Sequence, residues 1–255
     1  MTIRELYAIL NERIPASLSC EWDNDGLMCC PDPDREVSRV LVALDITERV
    51  IERAIEGGYE VIVSHHPLIF SPLKSVHPDH AVAKKVILLL RAGVTAMSFH
   101  TRLDAVEGGV NDTLATALGL TDVAAFGSHG EEIGRIGTLP REMTLAEFGA
   151  LVKQATDAEQ VLITDADRPV SRVAVLGGSG SGDVIAALLA GADTYVSGEL
   201  KHNWLTDAPD LGINLVAAGH FHTENPICRV LCEMIRKIDP ALTVDAVNSN
   251  PVQII

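Results

Sequence analysis

The sequence predicts an α/β protein made of two similar lobes. Three observations support this fold class: apolar strand-like runs alternate with helical patterns, one segment of the chain is repeated, and the composition is that of a globular protein. Hydrophobic residues make up 47% of the 255 residues and charged residues 22%, which is ordinary for globular proteins. A chain of this length can bury a sizeable core, as one large domain or two smaller ones.

The repeat relates residues 32–64 to residues 165–197. Aligned without gaps, 12 of the 33 positions are identical, including Val-Ser-Arg-Val at 37–40 and 170–173. Unrelated segments would share about two positions at background residue frequencies. The similarity continues after a small gap, where 93–101 resembles 212–220. We therefore expect a first lobe at 1–125 and a second at 126–255, with the C-terminal end returning to the first lobe.

The first repeat is predicted to run β-α-β-α-β-α. Residues 39–44 form a β-branched and apolar run, which is typical of a buried strand. Asp45 and Glu48 are spaced as a capping box for the next helix, which Gly57 and Gly58 would end. The later elements are predicted as a strand at 59–64, a helix at 78–91, a strand at 94–99 and a helix at 110–118. An amphipathic helix is expected within residues 1–15.

The second repeat is predicted to have the same order. Its strands are expected at 171–176, 194–197 and 214–218, and its helices at 183–190 and 223–236. Between the repeats, 121–131 is short, small and polar, which predicts a linker. A strand at 133–139 follows, and Thr144 with Glu147 predicts a capping box for a helix reaching Thr156. Alternating strands and helices favour parallel pairing.

Charge and composition argue against several classes of protein. The formal net charge of −15 does not suit binding to a nucleic-acid backbone, which needs a basic surface. No apolar run approaches the roughly 20 residues of a membrane span, and the N-terminal residues lack the features of a signal peptide. The five cysteines contain no CxxC pair, so we expect reduced, mostly buried thiols in a cytoplasmic protein.

Candidate metal ligands follow three of the predicted strands. Molecules and ions that bind to parallel α/β sheets do so beyond the carboxyl ends of the strands. The candidate side chains are therefore expected on the same side of the sheets. Taken singly, each group has a structural interpretation: a partly exposed histidine pair, an aspartate cap and a surface His–Glu ion pair. Together they favour a metal site. The five candidates are His65, His66, Asp104, His220 and Glu224.

The number and type of these ligands predict two metal ions. Mixed nitrogen and oxygen ligands suit Zn²⁺, Mn²⁺, Fe²⁺, Co²⁺ or Ni²⁺ rather than Ca²⁺. Five ligands exceed the three that a catalytic zinc usually takes, and match two ions about 3.5–4 Å apart with a bridging carboxylate, a role we assign to Asp104. Such a pair lowers the pKa of bound water, so the pattern predicts a metal-dependent hydrolase with its site in the cleft between the lobes.

Two further residues are candidate catalytic groups. His100 ends the third strand of the first repeat near Asp104, and we expect it to orient a ligand or shuttle a proton. Glu199 follows the strand of the second repeat that matches the strand before His65 and His66, and it is expected to line the pocket as an acid–base group. Asp23 and Asp25 flank a predicted turn, for which structural capping is the better interpretation.

Two other features have weaker chemical interpretations. The glycine-rich segment 177–182 lacks the third glycine of the dinucleotide-binding fingerprint, although its backbone amides precede a helix and could cradle an anion. Trp22, Trp204 and Phe221 could stack on a nucleobase, but packing in the core or at an interface is the better interpretation.

Six motifs carry a resemblance to a known family. They are WDNDGL (22–27), SHHPLIF (64–70), HTRLDAVEGGVND (100–112), GGSGSG (177–182), SGELKH (197–202) and GHFHTE (219–224). In this order they resemble the Nif-three-like family of dinuclear metal proteins, whose members often carry the name GTP cyclohydrolase I type 2 homologue. The resemblance covers most of the chain, which is close to the short form of the family. His222 departs from the family pattern, in which small residues are usual, and would add a group at the rim of the site.

The resemblance implies a metal centre, an assembly and an activity. It places two metal ions on the positions that match the five candidate ligands, and implies a homohexameric ring with its sites facing an inner cavity. The family name points to opening of the purine imidazole ring of GTP and so to a nucleotide-like small molecule, whereas the residues themselves do not select guanine over other nucleotides or phosphoesters. The alternative is a non-enzymatic protein, either a metal store or chaperone or a regulatory scaffold.

Overall fold

The chain divides into two compact α/β units. The computed structural model describes residues 1–128 and 130–253. The first unit comprises Met1–Val106 and Ile227–Gln253, and the second comprises Glu107–Pro226. This division lies before the boundary expected after residue 125, because the helix and strand between 110 and 126 contact or pair with a strand of the second unit.

The helices and strands alternate along most of the chain. The strands are β1 (Gly26–Cys29), β2 (Arg39–Ala43), β3 (Val61–Ser64), β4 (Thr95–Ser98), β5 (Thr121–Phe126), β6 (Gly134–Met143), β7 (Leu162–Thr164), β8 (Val170–Leu176), β9 (Thr194–Ser197), β10 (Asn214–Ala217) and β11 (Thr243–Ala246). The α-helices are α1 (Ile3–Arg13), α2 (Glu48–Gly57), α3 (Ala81–Ala92), α4 (Thr101–Ala105), α5 (Val110–Ala117), α6 (Leu145–Ala155), α7 (Val184–Leu189), α8 (His202–Leu211), α9 (His220–Glu224) and α10 (Pro226–Ile238).

The first unit is built on a five-stranded sheet with the order β1-β4-β3-β2-β11. Strands β4, β3, β2 and β11 are parallel, and β1 pairs with β4 in the antiparallel direction. Leu41 and Ile62 of this sheet pack in one apolar cluster with Val50, Ile51 and Ala54 of α2. Helix α2 ends where Gly58 takes a left-handed conformation, with φ of 66°, as glycine C-caps commonly do.

The second unit is built on a six-stranded sheet with the order β5-β6-β8-β9-β10-β7. Strands β8, β9 and β10 are parallel, whereas β5, β6 and β7 join the sheet in the antiparallel direction. One apolar cluster joins Phe148 and Val152 of α6 to Val173, Val196 and Val216 of the three parallel strands.

The two units show the predicted duplication in detail. Strands β2, β3 and β4 correspond to β8, β9 and β10, and in each set the third strand also pairs with an antiparallel edge strand, β1 or β7. Arg35 donates a hydrogen bond to the carbonyl of Gly93 at 2.7 Å, and Arg168 donates one to that of Gly212 at 2.6 Å. The fold class of two similar α/β units is therefore confirmed.

Most predicted elements lie within a few residues of the observed ones, and two predictions are wrong. The predicted linker at 121–131 contains β5, which pairs with β6. The predicted capping of α2 by Asp45 is also wrong, because Thr47 accepts the hydrogen bond from the backbone amide of Val50. The capping box of Thr144 and Glu147 at α6 is confirmed.

The predictions from composition concern the cysteines and the length of the helices. All five cysteines, which lie within the described residues, are thiols rather than members of a disulfide, and all except Cys30 are buried. Within residues 1–128 and 130–253, no helix combines the length and the apolar character needed to cross a membrane.

Candidate metal centre

His65 and His66 extend from the end of β3. Their backbone amides donate hydrogen bonds to the carbonyls of Ala43, the last residue of β2, and of Leu44, at 3.4 and 2.9 Å. The hydroxyl of Ser64 donates to the carbonyl of His66 at 2.7 Å. These bonds fix the backbone turn that brings both imidazole rings to the carboxyl edge of the sheet, where the ring centroids lie 4.9 Å apart.

An acceptor holds the Nδ1 atom of each of these histidines. His65 Nδ1 lies 3.0 Å from the carbonyl oxygen of Phe99, which can only accept, so this nitrogen carries the proton. His66 Nδ1 lies 2.8 Å from Oδ1 of Asp45. Because a neutral imidazole with a protonated Nδ1 presents a lone pair on Nε2, both rings are prepared as Nε2 metal ligands.

His100 lies beside this pair and is held by a buried carboxylate. Its Nδ1 is 2.8 Å from Oδ1 of Asp23. The other oxygen of Asp23 accepts from the amide and the hydroxyl of Thr101 at 3.0 and 2.6 Å. Burial alone would raise the pKa of Asp23, but the hydrogen bonds from His100 and Thr101 hold it well below its ordinary value. Asp23 is therefore a charged acceptor that fixes the ring of His100.

The buried side chain of Arg102 anchors helix α4. Its guanidinium donates to Asp25 at 3.0 Å, to Asn11 at 2.6 Å and to the carbonyl of Ile14 at 3.1 Å. Asp25 also accepts from the backbone amide of His100 at 3.0 Å. Asp23 and Asp25 thus accept from backbone amides at the start of the distant helix α4, and Asp23 also accepts from the neighbouring amide of Asn24 at 2.8 Å, a structural role of the predicted capping kind.

The first unit brings together four groups suited to a metal. Ring nitrogens of His65, His66 and His100 all lie within 4.8 Å of one another. Oδ1 of Asp104, on α4, is 3.6 Å from Nε2 of His65. The carboxyl edge of this sheet therefore carries three imidazoles and a carboxylate, a donor set that suits first-row divalent ions.

The second unit carries a histidine–carboxylate pair on α9. Nε2 of His220 lies 3.1 Å from Oε2 of Glu224, as expected for side chains at i and i+4 on one face of a helix. This separation of 3.1 Å is close to that between two donor atoms bound to one ion, each of which would lie about 2.0–2.2 Å from the ion. Oε2 of Glu199 approaches the other ring nitrogen, Nδ1, at 3.5 Å. His220 thus has a carboxylate near Nδ1, as His66 and His100 have, but at 3.5 Å instead of 2.8 Å.

Glycines around α9 leave the space that the carboxylate of Glu224 occupies. Gly178 has φ of +65°, and a Cβ there would lie 2.1 Å from Oε1 of Glu224 and 3.1 Å from Nε2 of His220. A Cβ on Gly177 would lie 3.1 Å from Cγ of Glu224. The glycine-rich segment therefore makes room for the two donors, which is a role that the sequence motif did not reveal.

The weaker interpretation of 177–182 as an anion cradle is not supported. The amide of Gly177 donates to Asn111 at 2.8 Å, that of Gly178 to Thr223 at 3.0 Å and that of Gly180 to Ser197 at 3.0 Å. Backbone amides that already donate within the fold are not available to an anion. The segment is better explained by the tight packing around α9.

The sequence located the candidate donors but missed some of their partners. Asp45 was expected as a helix cap, and it contacts His66 instead. Asp23 holds His100, a relationship that no local spacing reveals because the two residues lie 77 positions apart. His222 contacts the neighbouring ring of Phe221 edge-on, with centroids 5.7 Å apart.

Comparison with known proteins identifies the family. The family model described as Duf34/NIF3 (NGG1p interacting factor 3) matches residues 1–251. The chain belongs to the DUF34/NIF3 family. This assignment agrees with the resemblance seen in the six motifs.

Named relatives align along most of the chain. A protein named GTP cyclohydrolase 1 type 2 homolog from Clostridium perfringens is 31% identical over 243 residues, which cover 93% of this chain and 92% of the relative. One of the same name from Nostoc is 38% identical over 225 residues, covering 86% and 84%. The crystal structure of a Bacillus cereus protein related to NIF3 matches with a TM-score of 0.90 at 25% identity, covering 100% of this chain and 99% of that one.

Proposed function

We propose that this DUF34/NIF3 protein is a dinuclear-metal-dependent hydrolase acting on a nucleotide-like small molecule, with ring opening of the GTP cyclohydrolase type. The observation that carries the proposal is the common arrangement of the histidines. Nδ1 of His65, His66 and His220 each lies near an acceptor, and Nε2 of His65 and of His220 lies near a carboxylate oxygen, that of Asp104 and of Glu224 respectively. The proposed ligands of two divalent ions (Zn, Fe, Mn, Co or Ni) are His65, His66, Asp104, His220 and Glu224.

The proposed chemistry divides between the ions and the side chains around them. Bound divalent ions supply Lewis acidity and lower the pKa of coordinated water. Asp45 and Glu199 orient the rings of His66 and His220, and such carboxylate partners strengthen histidine as a ligand. His100 is proposed to hold and release a proton at Nε2, because Asp23 keeps its Nδ1 engaged. Glu199, with 60% of its side chain exposed, is proposed as an acid–base group that reaches the substrate.

The decisive experiment combines elemental analysis with a substrate panel. Wild-type protein saturated with a divalent metal is expected to hold two metal ions per chain. It is also expected to hydrolyse at least one nucleotide of the panel, in which GTP is tested first. Asp104→Ala should lose metal and turnover while keeping its circular dichroism spectrum. Asp79→Ala is the matched control, because 95% of the Asp79 side chain is exposed. Fewer than two metal ions per chain at saturation would contradict the proposed centre.

A second candidate function is a regulatory or metal-carrying scaffold. The family description, NGG1p interacting factor 3, refers to an interaction rather than a reaction, and one relative is named only Protein NIF3 homolog. This candidate predicts stoichiometric metal without turnover of any substrate, and partner binding that persists when His100 or Glu199 is replaced. The hydrolase predicts that either replacement lowers kcat.

The proposed assembly is a homohexamer, which rests on the family resemblance. Light scattering coupled to size-exclusion chromatography tests it directly. A mass near six times the chain mass of 27.3 kDa is expected, and a monomer at micromolar concentration would contradict it.

A further inference from the structure

Two aromatic side chains of the first unit are unusually exposed. Trp22 is 56% and Phe70 is 51% exposed. Among the Trp, Tyr and Phe side chains that the structure describes, these two alone are more than half exposed, and large rings such as Phe99, Phe148 and Tyr195 are fully buried. Exposing large apolar rings is unfavourable in water, so a pair of them beside polar donors indicates a binding surface.

Trp22, Phe70 and His100 form a triangle of rings, which we call the aromatic ledge. The three centroid-to-centroid distances are each 6.2 Å, and the interplanar angles lie between 60° and 83°. His100 belongs at the same time to the histidine group, with its ring centroid 5.3 Å from that of His65 and 5.6 Å from that of His66. His100 therefore links Trp22 and Phe70 to the candidate metal donors His65 and His66.

The ledge is held in place by bonds beneath it. The amide of Asn24 donates a hydrogen bond to the carbonyl of Ile69, which ties the loop of Trp22 to the loop of Phe70. Asp23, next to Trp22 in the chain, is fixed by His100 and Thr101. A surface whose position is set in advance binds a ligand at a lower cost in conformational entropy.

We infer that the aromatic ledge binds the planar heteroaromatic ring of the substrate, a purine. Stacking on tryptophan and phenylalanine recognises the face of a base regardless of its hydrogen-bonding edge. A purine on the ledge lies beside the ring of His100, which contacts the rings of His65 and His66. The inference rests on the proposed function for its claim that the bound ring belongs to a substrate. The stacking itself can be tested without metal or turnover.

The test uses Trp22 as its own reporter. The chain has two tryptophans, so Trp204→Phe leaves Trp22 as the single fluorophore. This protein is titrated with guanosine, GTP and inorganic tripolyphosphate in the presence of a chelator. Guanosine and GTP are expected to quench the fluorescence saturably, whereas tripolyphosphate, which has no ring, should not. Equal effects of tripolyphosphate and GTP, or no quenching by either purine, would overturn the inference.

Single substitutions in the wild-type protein distinguish a loss of stacking from a general loss of folded structure. Trp22→Leu and Phe70→Leu should each weaken guanosine binding, followed by calorimetry, by about 5- to 100-fold. Trp22→Phe should retain most of the affinity because it keeps a ring. Leu189→Ala is the control, since Leu189 is 82% exposed and lies in the other unit. Unchanged affinity of Trp22→Leu, or a change in its oligomeric mass that points to a ledge covered by a second copy, would contradict the inference.

The inference and the proposed function can fail separately. If guanosine quenches Trp22 but metal-loaded protein hydrolyses nothing, the ledge stands and the hydrolase fails. If wild type and Trp22→Leu hydrolyse GTP with the same KM, the hydrolase stands and the ledge fails.

Discussion

Glu60 and Asp193 occupy the same place in the two units. Glu60 accepts hydrogen bonds from the backbone amides of Ser38 and Arg39, at 3.1 and 2.8 Å. Asp193 accepts from those of Ser171 and Arg172, at 3.0 and 2.7 Å. The repeat aligns these residues, since 193 follows 60 by the same 133 positions that separate 171 from 38. The duplication thus keeps a carboxylate that joins β2 to β3 in the first unit and β8 to β9 in the second.

Replacing Asp193 is expected to destabilise the protein. Asp193 is buried and also accepts from the hydroxyl of Thr194 at 2.8 Å, so Asp193→Ala leaves two amides and a hydroxyl without this acceptor. We expect a loss of about 2 kcal/mol in unfolding free energy, measured by urea denaturation. Asp193→Asn should lose less, because it keeps one oxygen. The exposed control Asp210→Ala should stay within about 0.5 kcal/mol of wild type, and an equal loss there would contradict the assignment.

Glu60 should make part of the stability depend on pH. Burial by itself would raise the pKa of Glu60, but hydrogen bonds from Arg39 and Ser38 lower it below its ordinary value of 4.5. A lowered pKa in the folded state means that the carboxylate stabilises the fold above pH 4.5, and that this contribution is lost as the pH falls through the lowered pKa. The stability difference between wild type and Glu60→Gln should therefore shrink from pH 6 to about pH 3. The exposed control Glu52→Gln should show no such trend.

The strands of the repeat could be predicted because they are buried, and buried strands consist of recognisable apolar runs. Strand β9 matches its prediction at both ends, and β2, β3 and β4 match within two residues, since buried β-branched runs are distinctive. The strand β5 was missed because residues 121–125 are all exposed, so their composition resembles that of a linker. Helix α8 was also missed, and Pro209 lies inside it.

The candidate donors were predictable, whereas their partners were not. Histidines at strand ends and an i, i+4 pair are local signals. The bonds from His66 to Asp45 and from His100 to Asp23 span 21 and 77 positions, and local spacing cannot distinguish such partners from helix caps. Only the folded sheet, which brings several strand ends to one edge, reveals which carboxylate faces which ring.

Gly178→Ala should impair metal binding beyond its effect on stability. A Cβ at Gly178 would overlap Oε1 of Glu224, whereas one at Gly119, which has a similar φ of +71°, would meet nothing within 4 Å. Both substitutions strain the backbone and should each cost about 1 kcal/mol. Only Gly178→Ala should weaken Zn²⁺ affinity, by at least about ten-fold, in competition with a chromophoric chelator. Equal Zn²⁺ affinities of the two variants would show that Glu224 needs no such space.

The carboxylates behind the rings should differ in their effect on metal affinity. Asp45 lies 2.8 Å from Nδ1 of His66, whereas Glu199 lies 3.5 Å from Nδ1 of His220 and is 60% exposed. Because a close charged acceptor orients a ligating ring more firmly, Asp45→Asn should weaken Zn²⁺ affinity by about ten-fold or more. Glu199→Gln should have a smaller effect on affinity and a larger one on kcat, if Glu199 acts on the substrate.

Metal titration and turnover on the same two variants check this difference, and nitrogen-15 NMR of the imidazoles adds a direct readout. The proton of His66 should remain on Nδ1 in wild type, because Asp45 accepts it, and should exchange between the two ring nitrogens in Asp45→Asn. A larger loss of Zn²⁺ affinity in Glu199→Gln than in Asp45→Asn would show that the shorter contact, from Asp45 to His66, does not determine how strongly the ring binds the metal. In that case the orientation of His66 would have to come from the backbone bonds at the end of β3 alone.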